Sequence, residues 1–215
     1  MKKIIMLLIL LALPVTLMGC RQDEAVALVN EEPISLALFE ETLERMKNVY
    51  ANQIDFESEQ GAMFLTQLEE NVLEMLIQQA VIYQVAKAEG YLVPRSEAVA
   101  EVAAIRASFE DDASFEEALE ANLLTEERFI ESLQQDATIE AYFEAVIQVE
   151  PVSEEEVIAF YNEQKALAEE ASQEIPELEE VFNLIEAELL DRRKKAAANT
   201  HVEMLLEAAT VERLR

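Results

Sequence analysis

Apolar residues recur at three- and four-residue intervals along most of this chain, and this spacing predicts amphipathic helices. The sequence has 51% hydrophobic residues but only three glycines and five prolines. Few positions therefore favour turns, and long helices with short connections are expected. The periodic segments predict seven helices, at about 36–53, 58–89, 94–109, 114–122, 125–150, 153–165 and 176–209.

Cap signals mark where several of these helices begin. Ser35 and Thr125 each precede a periodic apolar segment, as N-cap residues do. Ser114-Phe115-Glu116-Glu117 and Ser153-Glu154-Glu155-Glu156 have the spacing of capping boxes. The segment 72–86 is apolar on nearly every side, which predicts a helix that neighbours cover on several faces. We expect the last helix, over residues 176–205, to pack back on it.

Two short β-prone segments lie at opposite ends of the helical part. They are Ala25–Val29, followed by the turn-like Asn30-Glu31-Glu32-Pro33, and Thr210–Leu214. An isolated strand is not stable in water, so these two segments are expected to pair. The predicted fold is therefore all-α, with a small two-stranded pairing of the N- and C-terminal segments.

The N-terminus has the pattern of a bacterial secretory signal. Two lysines precede an apolar run from Ile4 to Leu13, and Leu17-Met18-Gly19-Cys20 has the form of a lipobox. The run is shorter than the roughly 20 residues that span a bilayer. We therefore expect a lipoprotein signal peptide over 1–19 and a lipid-anchored tether over 20–24. A signal that carries a cysteine by chance and an uncleaved anchor are the alternatives.

Lipidation of Cys20 determines the expected location. Acyl chains on its thiol would anchor the protein to the outer face of the cytoplasmic membrane or to the outer membrane. Cys20 is the only cysteine, so the chain forms no internal disulfide.

The net charge of the chain is strongly negative, at −29. Such a surface repels nucleic acid and anionic lipid headgroups, so nucleic-acid binding is excluded as a function. The acidity either attracts basic clients or adapts the protein to a saline or alkaline medium. The run Arg192-Arg193-Lys194-Lys195 stands out, and it either pairs with neighbouring glutamates or forms a docking patch.

The sequence contains no recognisable catalytic or metal-binding motif. Besides Cys20, His201 is the only residue with a nitrogen or sulfur ligand typical of zinc sites. A phosphate-binding loop needs glycines that the chain lacks, and no serine lies in a nucleophile-elbow pattern. We therefore predict no catalytic residue, no cofactor and no metal.

Four segments, in order, resemble the SurA/PrsA group of extracytoplasmic chaperones. Residues 27–35 resemble the short strand and turn before the group's first helix, with Glu31 where the group has glycine. Residues 73–93 resemble its central helix and exit turn. Residues 115–129 resemble the next pair of helices, and residues 152–161 resemble the last helix before the group's isomerase domain.

The resemblance covers residues 25–165, and it implies that 176–215 is the part of the chaperone fold that follows the isomerase. Only a linker at 166–175 stands where members of the group have a parvulin-type prolyl isomerase. The glycine-rich segment and histidines of that domain are also missing. The resemblance thus implies one helical chaperone domain over 25–215 and a protein that is not an enzyme.

Two hypotheses for the function follow. The resemblance implies a holdase that binds unfolded or partly folded secreted or envelope proteins. Its candidate client-binding residues are flexible and aromatic side chains near the start of the second helix: Met46, Tyr50, Phe56, Met63 and Phe64. These side chains are alternatively the core between the first two helices. The second hypothesis is a structural or adaptor lipoprotein that holds one specific envelope partner.

Overall fold

The computed structural model describes residues 24–171, 173 and 175–214. Helices make up most of this part of the chain, which confirms the predicted all-α fold class. The elements, in chain order, are β1 Ala25–Val29, β2 Glu32–Ser35, α1 Leu36–Tyr50, α2 Glu59–Ala88, α3 Arg95–Arg106, α4 Asp112–Ala121, α5 Glu126–Val146, α6 Glu154–Glu170, α7 Leu178–Ala208 and β3 Val211–Arg213.

The strands form one antiparallel sheet in the order β2-β1-β3. β1 pairs with β3, which confirms the predicted pairing of the two ends of the chain. The sheet has one more strand than predicted, because Glu32–Ser35 pairs with the other side of β1. The turn is therefore confined to Asn30 and Glu31, whose φ angles of 48° and 70° both lie in the left-handed region.

Asn30 links this turn to both α2 and β3. Its backbone N–H donates to the Thr210 carbonyl oxygen at 2.8 Å, and its side-chain oxygen accepts the Thr210 N–H at 2.9 Å. Its amide nitrogen donates to Gln84 Oε1 at 2.9 Å, and Gln84 Nε2 donates to the Val29 carbonyl oxygen at 3.0 Å. The bonds between Asn30 and Thr210 join residues 180 positions apart, and the Asn30 side chain thereby connects the residue before β3 to α2.

The main core surrounds α2, as the apolar segment 72–86 predicted. β1, β2, α1 and α2 bury a common set of apolar side chains against one another. They are Val26, Ala27, Val29, Ile34, Phe39, Leu43, Leu68, Val72, Leu76, Ile77 and Val81. Full burial of one of the larger apolar side chains in this set stabilises the fold by roughly 1.5–3 kcal/mol. The stability of the domain therefore depends chiefly on α2 and the elements that cover it.

α3, α4 and α5 enclose a second apolar cluster, formed by Ala98, Val102, Phe115, Leu119 and Ile130. Thr125 caps α5 as predicted, because its hydroxyl accepts the Arg128 N–H at 3.2 Å. The capping box predicted at Ser114 is wrong. Asp111 caps α4 instead, since its carboxylate accepts the Ser114 backbone N–H and hydroxyl, each at 2.8 Å. These bonds also lower the pKa of Asp111.

α6 and the first half of α7 form a hairpin, which is defined here as residues 152–190. It has a small apolar cluster of its own, whose buried members are Val152, Val157, Tyr161 and Ile185. The Tyr161 hydroxyl donates to the Pro176 carbonyl oxygen at 2.9 Å and closes the connection between the helices. α6 continues to Glu170, so this connection spans residues 171–177 instead of the predicted linker at 166–175.

Arg193 of α7 connects that helix to the start of α6 and to the two residues Glu150 and Pro151 that precede the hairpin. Its guanidinium donates to the carbonyl oxygens of Glu150 and Pro151 at 2.8 and 2.9 Å and pairs with the Glu156 carboxylate. Ser153 and Glu156 form the predicted capping box at the start of α6. The hydrogen bond from the Ser153 backbone N–H, together with the charge of Arg193, holds the pKa of Glu156 below its usual value.

The second half of α7 packs against the main body. Val202 and Leu205 contact the cluster formed by Ile82, Ala86 and Tyr142, and Leu206 contacts the main core. The prediction that residues 176–205 pack on α2 is therefore correct only for their C-terminal part. The N-terminal part packs on α6, where Val181, Phe182 and Ile185 join the apolar cluster of the hairpin.

Candidate functional site

A groove of about 610 Å³ lies between α1 and α5, both of which pack on α2. Leu38, Glu41, Thr42 and Arg45 line one side at the spacing of one face of α1. α2 forms the floor between the two walls. Pro33 and Ile34 of β2 lie at the end where α1 begins, and Leu124 lies near the other end, beside the start of α5. No described residue of the hairpin lines the groove.

The floor and walls of this groove are largely apolar. Its apolar lining consists of Ile34, Leu38, Met75, Leu76, Ala80, Ile82, Leu124 and Ile139. Met75 is 41% exposed, so a flexible thioether side chain is directly accessible in the floor. Such side chains adapt their shape to different apolar partners. Amides and hydroxyls of Gln78, Gln79, Ser132 and Gln135 provide hydrogen-bonding groups beside them.

The groove is electrically neutral in a protein whose net charge is −29. Among the described residues, its charged lining consists of two acidic residues, Glu41 and Glu131, and two basic residues, Arg45 and Arg128. Arg128 bridges the mouth of the groove, with Nε 3.5 Å from Glu41 Oε2 of α1 and Nη1 3.0 Å from Glu131 Oε2. Because the signs balance, the groove lacks the repulsion that the rest of the surface exerts on acidic segments.

Four of the five predicted client-binding residues lie in the packing between α1 and α2. Tyr50 and Phe64 form an edge-to-face pair at 5.1 Å, and Phe56 contacts Phe64 at 6.2 Å. Met46, Tyr50 and Phe64 border the main core. Met63 alone points outward, at 72% exposure.

Most of this set therefore lies in the packing between the first two helices, as the alternative interpretation of the sequence predicted. Such aromatic pairs each stabilise the fold by about 0.5–1.5 kcal/mol beyond the area they bury. None of the five residues lines the groove. Sequence periodicity identified the apolar faces of α1 and α5. It gave no information on the separation between these two helices, which leaves the groove above α2.

His201 has a structural position between α5 and α7. Its Nε2 lies 2.6 Å from the hydroxyl of Tyr142, which is buried in the cluster with Ile82 and Ala86. Burial, aided by the charge of Glu89, raises the pKa of Tyr142. Among the described residues no group of histidine, cysteine, aspartate or glutamate side chains has an arrangement that would hold a metal ion.

The basic run of α7 pairs with acidic neighbours over most of its length. Arg192 pairs with Glu188 at 2.5 Å and Lys195 with Asp191 at 2.7 Å, in addition to the contacts of Arg193 with the hairpin base. Pairing with acidic neighbours therefore accounts for three of its four residues, and in two of them the partner is the expected glutamate.

Comparison with known proteins places the chain in a family. The model of the SurA-like N-terminal domain matches residues 1–142, which is most of the chain, and the protein belongs to that family. This confirms the predicted resemblance. The comparison identifies a chaperone-type domain, and no parvulin domain is found with it. No curated protein and no solved structure matches the chain.

Membership of the SurA-like family suggests an extracytoplasmic location and binding of client proteins in general. Within the part of the chain that the structure describes, every helix is too short or too polar to cross a membrane. The predicted signal peptide and Cys20 lie outside the described residues.

Proposed function

We propose that this protein is an extracytoplasmic, lipid-anchored holdase that binds unfolded or partly folded secreted or envelope proteins in the groove between α1 and α5. The observation that supports it most is a neutral, largely apolar groove on a strongly acidic member of the SurA-like family. The acidic exterior keeps the protein soluble, while the neutral groove offers apolar contact area to a client.

The dimensions of the groove fit a short stretch of extended chain. Leu38 and Arg45 are two helical turns apart, which is about 10 Å along α1. An extended segment covers that distance in about three or four residues. Contact with so few residues gives weak and reversible binding, as a holdase requires, because the ordering of a flexible client opposes association.

No catalytic step is part of this proposal. The protein would slow the aggregation of a client without accelerating prolyl isomerisation. Measurable isomerase turnover on a short proline peptide by the purified protein would contradict this part of the proposal.

Aggregation kinetics of an unfolded client test the location of the binding surface. Three exposed methionines allow matched single substitutions by glutamate. Met75 lies in the groove, Met63 belongs to the set predicted from the sequence, and Met204 on α7 lies in neither. Each substitution adds one negative charge at an exposed position, so the long-range electrostatic change is the same.

The proposal predicts that Met75→Glu weakens suppression of aggregation, because a carboxylate in the groove must be desolvated when a client binds. Met63→Glu and Met204→Glu should suppress aggregation like the wild type. Loss of suppression in Met63→Glu alone would show that the client binds at the start of α2 and not in the groove. Equal suppression by all three variants would show that the groove is not used.

The lipid anchor is tested separately from the groove. Cys20→Ser removes the thiol that would accept the acyl chains, so the variant should be recovered unlipidated. An acyl mass on the mature wild-type N-terminus supports the anchor, whereas soluble wild-type protein without that mass contradicts it.

A further inference from the structure

Arg45 is the one arginine among the described residues without an acidic partner. The other six described arginines each have a carboxylate oxygen within 4.0 Å. The chain has 45 acidic and 16 basic residues, so an arginine without such a partner is unexpected. The single hydrogen bond of its guanidinium goes from Nη2 to Thr42 Oγ1 at 3.0 Å.

The position of Arg45 makes its lack of an acidic partner relevant to client binding. It is half-buried and lines the groove near the end beside Leu124, so its remaining N–H donors adjoin the space a client would occupy. The second groove arginine, Arg128, differs because it contacts two carboxylates, those of Glu41 and Glu131. The four charges of the groove sum to zero, but one arginine contacts two carboxylates and Arg45 contacts none.

We propose that Arg45 binds a carboxylate of the client, so that the groove prefers apolar segments that carry one aspartate or glutamate side chain. This inference rests on the proposed function and specifies its substrate class. A guanidinium and a carboxylate form two parallel, charge-assisted hydrogen bonds, which fix the register of the bound segment. Elsewhere the acidic surface repels the same carboxylate, so the preference depends on the residue in register with Arg45.

An internal side chain fits this position better than a chain terminus. A second pocket, of about 230 Å³, continues past Arg45 and is also lined by Asn48, Val49, Ala121 and Asn122. A client that reaches Arg45 therefore has room to continue beyond it. The proposed partner of Arg45 is therefore an aspartate or glutamate side chain inside the client segment.

Three labelled peptides of about eight residues test this assignment, since an extended peptide of that length more than spans the groove. The first is apolar and uncharged except for one central glutamate, and both its ends are blocked. The second has glutamine in place of that glutamate. The third has the glutamine but a free terminal carboxylate. Fluorescence anisotropy gives the Kd of each peptide for the wild type, for Arg45→Gln and for Arg95→Gln.

Arg95 is the matched control, because it pairs with Glu127 outside the groove and its replacement changes the net charge by the same amount. We expect the wild type and Arg95→Gln to bind the glutamate peptide about fivefold more tightly than the glutamine peptide. Arg45→Gln should bind the two peptides equally and should retain the wild-type affinity for the glutamine peptide. That retained affinity shows that the variant is folded.

Each other outcome is decisive. If the wild type binds both blocked peptides equally, the role of Arg45 is overturned while the groove stays as the binding site. An Arg45-dependent preference for the third peptide alone would reassign the partner to a chain terminus and overturn the internal side chain. If no peptide binds any variant, the proposed function itself fails.

Discussion

Helices α2 and α7 are almost equal in length, at 30 and 31 residues, yet they have opposite relations to the core. α2 buries eight residues along its length, whereas α7, which is also fully described, buries only Ile185. α2 is apolar on several faces because β1, α1, α5 and α7 all cover it. α7 contacts α6 with its first half and the main body with its second half.

The middle of α7 shows how a helix with so little burial is stabilised. Its polar turn has the ion pairs Glu188–Arg192 and Asp191–Lys195 at i, i+4 spacing. A helix that is polar all round is stabilised by such pairs or by what it joins at its two ends. α7 therefore connects the hairpin to the body, and the two regions are expected to differ in stability. Leu167 and Leu184 remain exposed on the hairpin, which is consistent with its small cluster.

The largest expected effect on stability comes from replacing a buried isoleucine by alanine, once in the main core and once in the hairpin. Ile77→Ala removes a side chain that is 1% exposed and enclosed on all sides, so it should lower the free energy of unfolding by about 3–4 kcal/mol. Ile185→Ala should cost about 2 kcal/mol, at the lower end of the range for such substitutions, because the small cluster around it relaxes more easily. Urea unfolding gives both values, and equal losses would contradict the distinction.

A smaller effect is expected at the junction of the two regions. Arg193→Gln removes the ion pair with Glu156 and shortens the donor that reaches the carbonyl oxygens of Glu150 and Pro151. It should cost about 1–2 kcal/mol and increase amide exchange in α6 without changing it in α2. Lys195→Gln is the matched control, because it also removes one positive charge and Lys195 pairs with Asp191 within α7. Equal exchange in the two variants would show that Arg193 does not fasten the hairpin.

The smallest effect should be a gain in stability confined to the body. Glu31 has a φ of 70°, a conformation that glycine adopts without the strain of a side chain. Glu31→Gly should therefore stabilise the protein by about 0.5–1 kcal/mol, measured as a higher midpoint of urea unfolding. Amide exchange in the hairpin should stay unchanged. A destabilised variant would mean that the Glu31 side chain makes a contribution that outweighs the turn strain.

Local signals in the sequence predicted much of the fold. Ser35, Thr125 and Ser153 cap the helices that they were expected to cap, because capping depends on residues only three positions apart. β2 was missed because Asn30, Pro33 and the two glutamates between them are typical of a turn. The strand forms nevertheless, since Pro33 lies in an edge strand and need not donate to a neighbour.

The candidate site was harder to predict, because it depends on distances between helices. Met46, Tyr50 and Phe64 were selected for their side-chain type, and packing between α1 and α2 covers most of their surface. The groove consists of ordinary positions on α1, α2 and α5 whose separation no local pattern encodes. Arg45 had no distinguishing sequence signal either, because only the structure shows that no described carboxylate reaches it.

Site-specific photocrosslinking to an unfolded client tests the central claim most directly. A photoreactive residue is placed at position 75, 63 or 204, one at a time, and the client is added before irradiation. Position 75 is the least exposed of the three in the wild type, at 41% against 72% and 57%, so random collisions favour the other two. The groove predicts that position 75 gives the most crosslinked client. Stronger crosslinking from position 63 or 204 would contradict binding in the groove.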